Sequence, residues 1–332
     1  MAEAIQLAQT DVVRRALRLV STRNIQRADW LAIRKTGIGG SDAAASVGLS
    51  PYKSQLELWL EKTGRDGDLE KPDPNDTTHP TYWGTTLEPI VAASYSLQTK
   101  RRVRRVNAVL QHPEHPFMLA NLDREVVGQP DVQILECKTA GEFGARAWRD
   151  GVPEYVQLQV QHQLAVTGQR AADVAVLICG QRLDVHRVVR DDELISRLIV
   201  LEARFWKHVT DDVPPPADGS DSADRALRCL FPGVAGTIDW SADSWMSYLF
   251  RDLVAARALI NEQVEAAEKA RQSIQQAMGD STEALFASGR VSFKRSKDSV
   301  GVDIERLLAE NSDLSARYAI TKPGSRRFRI CD

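Results

Sequence analysis

At 332 residues, 43% hydrophobic and 27% charged, the chain has the make-up of a soluble globular protein, with room for one large domain plus an appendage or for two modest domains. Its formal charge of −2 excludes a globally basic polyanion binder, so any such partner has to be argued from charge on one face. No apolar run approaches the roughly 20 residues that span a bilayer. The four cysteines, Cys137, Cys179, Cys229 and Cys331, stand too far apart for a zinc ribbon, an iron–sulfur cluster or a disulfide framework.

The N-terminal stretch carries acids early and lacks the basic, apolar, small-residue order of a secretory signal, which makes a cytoplasmic protein the default expectation. Asp11 to Val20 has apolar residues at helical spacing, and Ala28 to Lys35 reads as a further short helix. Gly37-Ile38-Gly39-Gly40-Ser41-Asp42 is a turn ending in an N-cap signal before helical Ala43 to Val47. Ser54 to Lys62 is amphipathic and stops at Gly64; Arg65 to Pro80 is a polar surface loop; Thr81 to Gln98 is helical again, with Pro89 kinking it or lying in a first turn.

From Arg102 the pattern turns to strands, at Val103 to Leu110, Met118 to Val127, Val132 to Lys138, Ala172 to Cys179 and Leu183 to Val189. Pro153 to Thr167 reads as a helix crossing over the sheet, and Asp191 to His208 as a long helix. These elements predict an α/β (α+β) core over residues 1–210. Residues 211–240, which open on Asp211-Asp212-Val213-Pro214-Pro215-Pro216, read as a linker or excursion. Residues 241–332 read as a C-terminal part with a long helix from Ser241 to Met278 and a small strand-bearing tail from Val291 to Ile330.

Gly128-Gln129-Pro130-Asp131 is a turn signal between two β-type runs. With those four residues as the loop, Val127 faces Val132, Asp123 faces Glu136 and Asn121 faces Lys138, all four polar side chains on one side of the sheet. Directly opposed carboxylates have Cβ atoms roughly 5 Å apart and can share one hard cation. On the same register Asp131 lies in the turn, away from Glu136, although Pro130-Asp131 and Glu136-Cys137-Lys138 together spell a familiar nuclease string. Lys100-Arg101-Arg102-Val103-Arg104-Arg105 is the one dense basic cluster; it reads as a solvated face or, beside a nuclease core, as candidate duplex-backbone contacts at Lys100, Arg101, Arg102, Arg104 and Arg105.

Trp30-Leu31-Ala32-Ile33-Arg34 followed by Gly37-Ile38-Gly39-Gly40-Ser41-Asp42-Ala43-Ala44 resembles the N-terminal motif of the YqaJ-type viral recombinases, the family that includes lambda exonuclease. Trp83-Gly84-Thr85-Thr86-Leu87-Glu88-Pro89 is similar to its second motif. Ala120-Asn121-Leu122-Asp123 and Leu135-Glu136-Cys137-Lys138-Thr139-Ala140 resemble its catalytic core, and Pro153-Glu154-Tyr155 with Gln159-Val160-Gln161-His162-Gln163-Leu164 its final motif. The resemblance implies a restriction-endonuclease-like core, a mixed sheet flanked by helices, that digests double-stranded DNA from 5′ ends and leaves 3′ single-stranded overhangs. It implies magnesium, with manganese as a substitute, bound by Asp123 and Glu136, completed by Glu88 and by the Cys137 carbonyl. Lys138 would activate or orient the attacking water, Gln159 would abut the centre, and Arg34 and Ser41 would hold the 5′-phosphate. Gln161 and His162 read as one polar helix face, and His162 receives no catalytic role. Expected partners are double-stranded DNA ends, a single-strand annealing protein and, since ring-shaped trimers occur in the family, further copies of the chain; the sequence leaves ring, dimer and monomer open. A structure- or site-specific endonuclease on the same core is an alternative. A non-cleaving DNA-binding assembly protein is another, against which Glu88, Asp123, Glu136 and Lys138 together speak. Tails ending like Ser325 to Arg329 accompany longer members of the family.

Overall fold

Two strands explain most of the architecture. Ile134-Leu135-Glu136-Cys137-Lys138-Thr139-Ala140 and Ala171 to Ile178 are rich in β-branched and small apolar residues, and they pair in parallel. Parallel neighbours need a crossover, which a 14-residue helix between them provides. The computed structural model describes residues 16–233, 236–321, 326 and 328–331, and they divide into two compact units, Met1–Pro232 and Gly233–Asp332.

In the first unit the order is β1 (Leu17–Ser21), α1 (Arg27–Lys35), α2 (Ala43–Ser46), α3 (Gln55–Thr63), α4 (Pro80–Thr99), β2 (Arg102–Arg104), β3 (Ala108–Gln111), β4 (Leu119–Ala120), β5 (Arg124–Val127), β6 (Ile134–Ala140), α5 (Glu154–Thr167), β7 (Ala171–Ile178), β8 (Arg182–Val189), α6 (Asp192–Thr210) and α7 (Asp221–Leu230). The central sheet has five strands in the order β2-β5-β6-β7-β8, antiparallel except for β6 and β7. A smaller sheet holds β1-β3-β4.

Side-chain alternation gives the central sheet two buried faces. Ile134, Val174, Val176 and Ile178 pack with Val156, Val160 and Leu164 of α5. Leu135, Val126 and Ala175 pack with Val91, Ala92 and Tyr95 of α4. Each large side chain so buried contributes about 2 kcal/mol. The fold is thus a mixed sheet flanked by helices. Glu136 and Lys138 share the parity of Ile134, so the sheet turns both toward α5.

The ends of α3 follow their sequence signals, whereas Asp42, expected to cap α2, makes no side-chain cap there and accepts instead from Gly39 N–H, Arg34 and Lys62. Ser54 accepts the Glu57 N–H at 3.1 Å to open α3, and Gly64 closes it at φ +74°. Gly37 is demanded by close approach, because a Cβ there would lie 2.7 Å from Leu119 Cγ and from the Phe117 carbonyl oxygen. At that point Ile38 N–H donates to Phe117 O (2.7 Å) and Leu119 N–H donates to Ile38 O (2.8 Å), stitching the glycine turn to β4.

Several expectations are corrected. The helix anticipated from Asp11 begins outside the described residues, and Leu17 to Ser21 form β1, held by pairing with β3. Val103 to Leu110 and Met118 to Val127 are not single strands: each divides into two short ones in different sheets, because the chain bends at Arg105–Asn107 and at Asn121–Asp123. Pro89 lies inside α4 rather than in its first turn. The stretch read as a linker or excursion contains α7, capped by Ser220 and packed on α3 through buried Ala223, Ala226 and Ser222, whose hydroxyl accepts the Ser54 N–H at 2.8 Å. Small side chains carry that contact, so hydropathy hid it.

In the second unit a 35-residue helix, α8 (Ser244–Met278), precedes a hairpin of β9 (Glu283–Phe286) and β10 (Gly289–Ser292). Two short helices, α9 (Ile304–Glu310) and α10 (Ser312–Arg317), occupy much of the tail expected to bear strands. Of Ser325 to Arg329, only Arg326, Phe328 and Arg329 are described. Among the described residues no helix is long and apolar enough to cross a membrane.

Candidate active site

Arg124 pairs with Leu135 and Glu125 with Ile134, the register expected for the hairpin. The ladder stops at Arg124, so Asp123 is the first residue beyond it. Its Oδ2 accepts the Cys137 N–H at 2.8 Å, which keeps it beside Glu136. Asn121 lies further out, past the bend, where its amide reaches Ala108 O at 3.5 Å rather than facing Lys138 across a ladder.

Glu136 is 3% exposed and fully engaged. Its Oε1 accepts from Gln159 Nε2 (2.6 Å) and pairs with Lys138 Nζ (2.8 Å), and its Oε2 accepts from Gln163 Nε2 (2.8 Å). Lys138 also donates to Gln159 Oε1 at 2.8 Å, closing a ring of three side chains. Burial first, and then the charge of Glu136, push the Asp123 carboxyl well above the usual carboxylate range, although the Cys137 N–H works the other way. Burial opposes charge on Lys138, but the adjacent Glu136 and Asp123 outweigh it and raise its pKa. Burial, reinforced by Asp123 and Glu136, drives the Cys137 thiol far upward, so the side chain stays a thiol.

Glu88 joins the same cleft from α4, but its Oε1 is held at 2.5 Å by Arg124, a buried guanidinium that also donates to the Asp123 carbonyl. Among the described residues no three His, Cys, Asp or Glu side chains converge as a metal cluster. The donor set nevertheless fits a hard divalent cation. The Asp123 carboxylate stands beside Glu136 with the Cys137 N–H as its hydrogen-bond partner, a backbone carbonyl is adjacent, and a hard cation can complete its shell with water.

On another wall Arg34 lies over the Trp30 ring, 4.9 Å from its centroid. Its Nη2 donates to Ser41 Oγ (2.8 Å) and to Asp42 Oδ1 (3.3 Å). Buried Asp42 is braced by Lys62, which donates to its Oδ2 (2.7 Å) and to the Arg34 carbonyl (2.8 Å). Burial alone would raise the Asp42 pKa; the charges of Lys62 and Arg34 hold the carboxyl well below its ordinary range. Arg34, Ser41, Glu88, Asp123, Glu136, Cys137, Lys138 and Gln159 all line one open cleft of about 350 Å³.

A family model for the YqaJ-like viral recombinase domain matches residues 29–170. The uncharacterized protein YqaJ of Bacillus subtilis (strain 168) is 37% identical over 257 residues, 76% of this chain and 76% of that protein. The chain belongs to the YqaJ-like viral recombinase family. A shorter likeness, 41% over 73 residues, links 22% of this YqaJ-family chain with 19% of protein D345L of African swine fever virus (strain Badajoz 1971 Vero-adapted). Among solved structures, an alkaline exonuclease from Laribacter hongkongensis is similar at a TM-score of 0.46 and 22% identity, over 56% of this chain and 93% of that one.

Three residues that had no role in the site on sequence grounds brace the lining of the YqaJ-family cleft. Gln163 is announced only by its spacing of four from Gln159, which sets both on one face of α5. Asp42 follows Ser41 and braces the arginine. Arg124 had no sequence signal, since a lone arginine at a strand start is ordinary. The basic run, in contrast, does not form one surface. Lys100 caps α4 with φ +61°, and exposed Arg102 lies on β2. Arg104 pairs with Glu125 (2.8 Å), and Arg105 lines a second cleft. Arg101 is a correction: it spans Asp173 (2.8 Å) and Asp131 (2.7 Å), so its charge is spent inside the protein rather than on DNA. Asp131 is accordingly a partner of Arg101 and Arg187, away from Glu136.

Proposed function

We propose that this YqaJ-family chain is a magnesium-dependent exonuclease that digests double-stranded DNA in the 5′→3′ direction and leaves 3′ single strands for phage-type recombination, manganese replacing magnesium. The observation that carries the reading is the convergence, in one cleft, of the Asp123–Glu136–Lys138–Gln159 cluster and the Arg34–Ser41 pair. The first suits phosphodiester hydrolysis and the second a terminal phosphate, so a duplex end, rather than an interior site, is the substrate the cleft fits.

Asp123, Glu136 and the Cys137 carbonyl would hold the cation, with Glu88 contributing directly or through water once released from Arg124. A divalent cation there supplies Lewis acidity at the scissile phosphate and at the attacking water. Burial works against the charge on Lys138, but Glu136 and Asp123 raise its pKa, so it would serve as a donor that orients water or steadies developing charge. Gln159 fixes Lys138 against Glu136, and Gln163 fixes the other oxygen of Glu136. Arg34 offers its remaining N–H groups to the 5′-phosphate, prealigned by Ser41 and Asp42. An annealing protein that takes up the 3′ strand and self-association are the partner expectations that accompany this reading.

The test uses linear duplex with 5′-phosphate ends and magnesium. Wild-type protein is expected to release nucleotides, and Lys138→Ala to slow release by about a hundredfold or more. Release at the wild-type rate by Lys138→Ala would sink the assignment.

A further inference from the structure

A second cleft of about 560 Å³ is lined by Arg18 of β1, Arg23 just beyond it, Arg104 of β2, Arg105, Asn107 and Glu125 of β5. Chain order does not suggest the grouping. It arises because β1 pairs with β3, Ser21 facing Ala108, and because Thr22 N–H donates to Asn107 O at 3.2 Å. Arg104 and Glu125 neutralise one another at 2.8 Å. Among the described residues no carboxylate pairs with Arg18, Arg23 or Arg105. Four arginines less one glutamate leave the cleft at +3, in a chain whose formal charge is −2. Guanidinium groups left without carboxylates in a concave site match a run of phosphates, which they can bind in fork geometry.

The cleft adjoins the candidate active site. Glu125 stands two residues from Asp123, and Asn107 is next to Ala108, whose carbonyl is reached by Asn121 of the first cleft. Two residues of extended chain span about 7 Å. A span of that size is on the order of one or two nucleotide steps along a strand.

We propose that Arg18, Arg23 and Arg105 form a subsite for the phosphodiester backbone of the substrate duplex, a few nucleotides inward from the end being digested. The proposal rests on the nuclease reading of the first cleft. Its function is to retain the duplex between successive cuts, adding backbone contacts to the single terminal-phosphate contact at Arg34.

The test is binding rather than cleavage. Fluorescence anisotropy of a 5′-phosphorylated blunt duplex of about two helical turns is measured across a range of KCl concentrations, without divalent cation. Wild type is compared with the triple variants R18A/R23A/R105A and R18K/R23K/R105K, all three positions being exposed. Each phosphate contact contributes about 0.9 to the slope of log affinity against log salt, so the alanine variant should be shallower by about 2 to 3 while the lysine variant keeps the wild-type slope. Parallel slopes for wild type and the alanine variant would overturn the subsite and leave the nuclease reading standing. A slope change confined to single-stranded DNA would overturn it as well. Absence of duplex binding by wild type would overturn both, so the two failures are distinguishable.

Discussion

Arg34 meets its ligand with one nitrogen already committed to Ser41 and Asp42, which fixes the plane of the guanidinium before a phosphate arrives. Hydrogen bonds to charged groups are worth about 1.5–3 kcal/mol. Arg34→Gln is therefore expected to slow digestion of 5′-phosphorylated ends by about ten- to a hundredfold relative to 5′-hydroxyl ends, read from paired initial rates. Equal loss on both ends would reject the phosphate role. Elsewhere, His112 accepts the N–H groups of Glu114 and His115 on Nδ1, which requires a neutral ring. Burial and the neighbouring His115 push its pKa down to about 4. The unfolded chain therefore binds the extra proton first, and the stability His112 supplies is complete above pH 6.5 and lost as pH falls toward 4. Water screens much of the effect, leaving on the order of 1 kcal/mol. Denaturant unfolding at pH 7.5 and 5 should show His112→Asn losing less stability than wild type; an identical loss would contradict the reading.

At the scale of elements, α5 is the part that aligns the site. Gln159 and Gln163 hold Glu136 from one face of the helix, while His162, fully buried, anchors the helix elsewhere. Its Nδ1 meets Glu202 Oε1 of α6 and its Nε2 meets Leu119 O of β4, both at 2.8 Å. With acceptors at both nitrogens the ring is an imidazolium. Burial lowers its pKa, but Glu202 and the Leu119 carbonyl raise it overall. The pair's stability is accordingly present below pH 6.5 and lost as pH rises through the raised value. The helix thus ties together α6, β4 and the segment leading to Asp123. Removing one member of a buried pair costs about 3–5 kcal/mol, so Glu202→Gln should lose that much in denaturant unfolding. A loss below about 1 kcal/mol would show that the pair does not hold the elements together. Gln161 serves structure similarly, donating to Val189 O and accepting the Asp191 N–H. The polar helix face read from sequence is therefore interior.

For the whole molecule, a net charge of −2 means that the proposed attraction to DNA has to come from local charge, of which the cleft lined by Arg18, Arg23 and Arg105 is one source. An enzyme built around a terminal-phosphate pocket should leave covalently closed circular duplex intact under conditions that consume the same DNA once linearised. Nicking or linearisation of the closed circle, followed by gel electrophoresis, would favour the endonuclease alternative instead. The second unit contributes α8, most of whose apolar residues are exposed, including Trp245 and Tyr248 stacked with ring centroids 5.7 Å apart.

Local chemistry determined a good deal of this protein. The turn at Gly128–Asp131 set the register that places Asp123 beside Glu136 and sends Asp131 to Arg101 and Arg187, because strand pairing follows from turn position and a period of two. Apolar periodicity located α1, α3, α5 and α6, and for α3 and α6 it is joined by local caps at Ser54 and Asp191. Tertiary structure alone decided the rest. Where two long strands were expected, the chain bends so that each half can enter a different sheet, and only the neighbours in space select that. A helix packed through alanine and serine leaves no hydropathy signal. Arg124 on Glu88, Lys62 beneath Asp42, and Arg18 beside Arg105 join residues far apart in sequence, and no spacing rule connects them. The segment from Asp123 to Lys138 could be read locally, while the groups that hold it, charge it and continue it toward DNA could not.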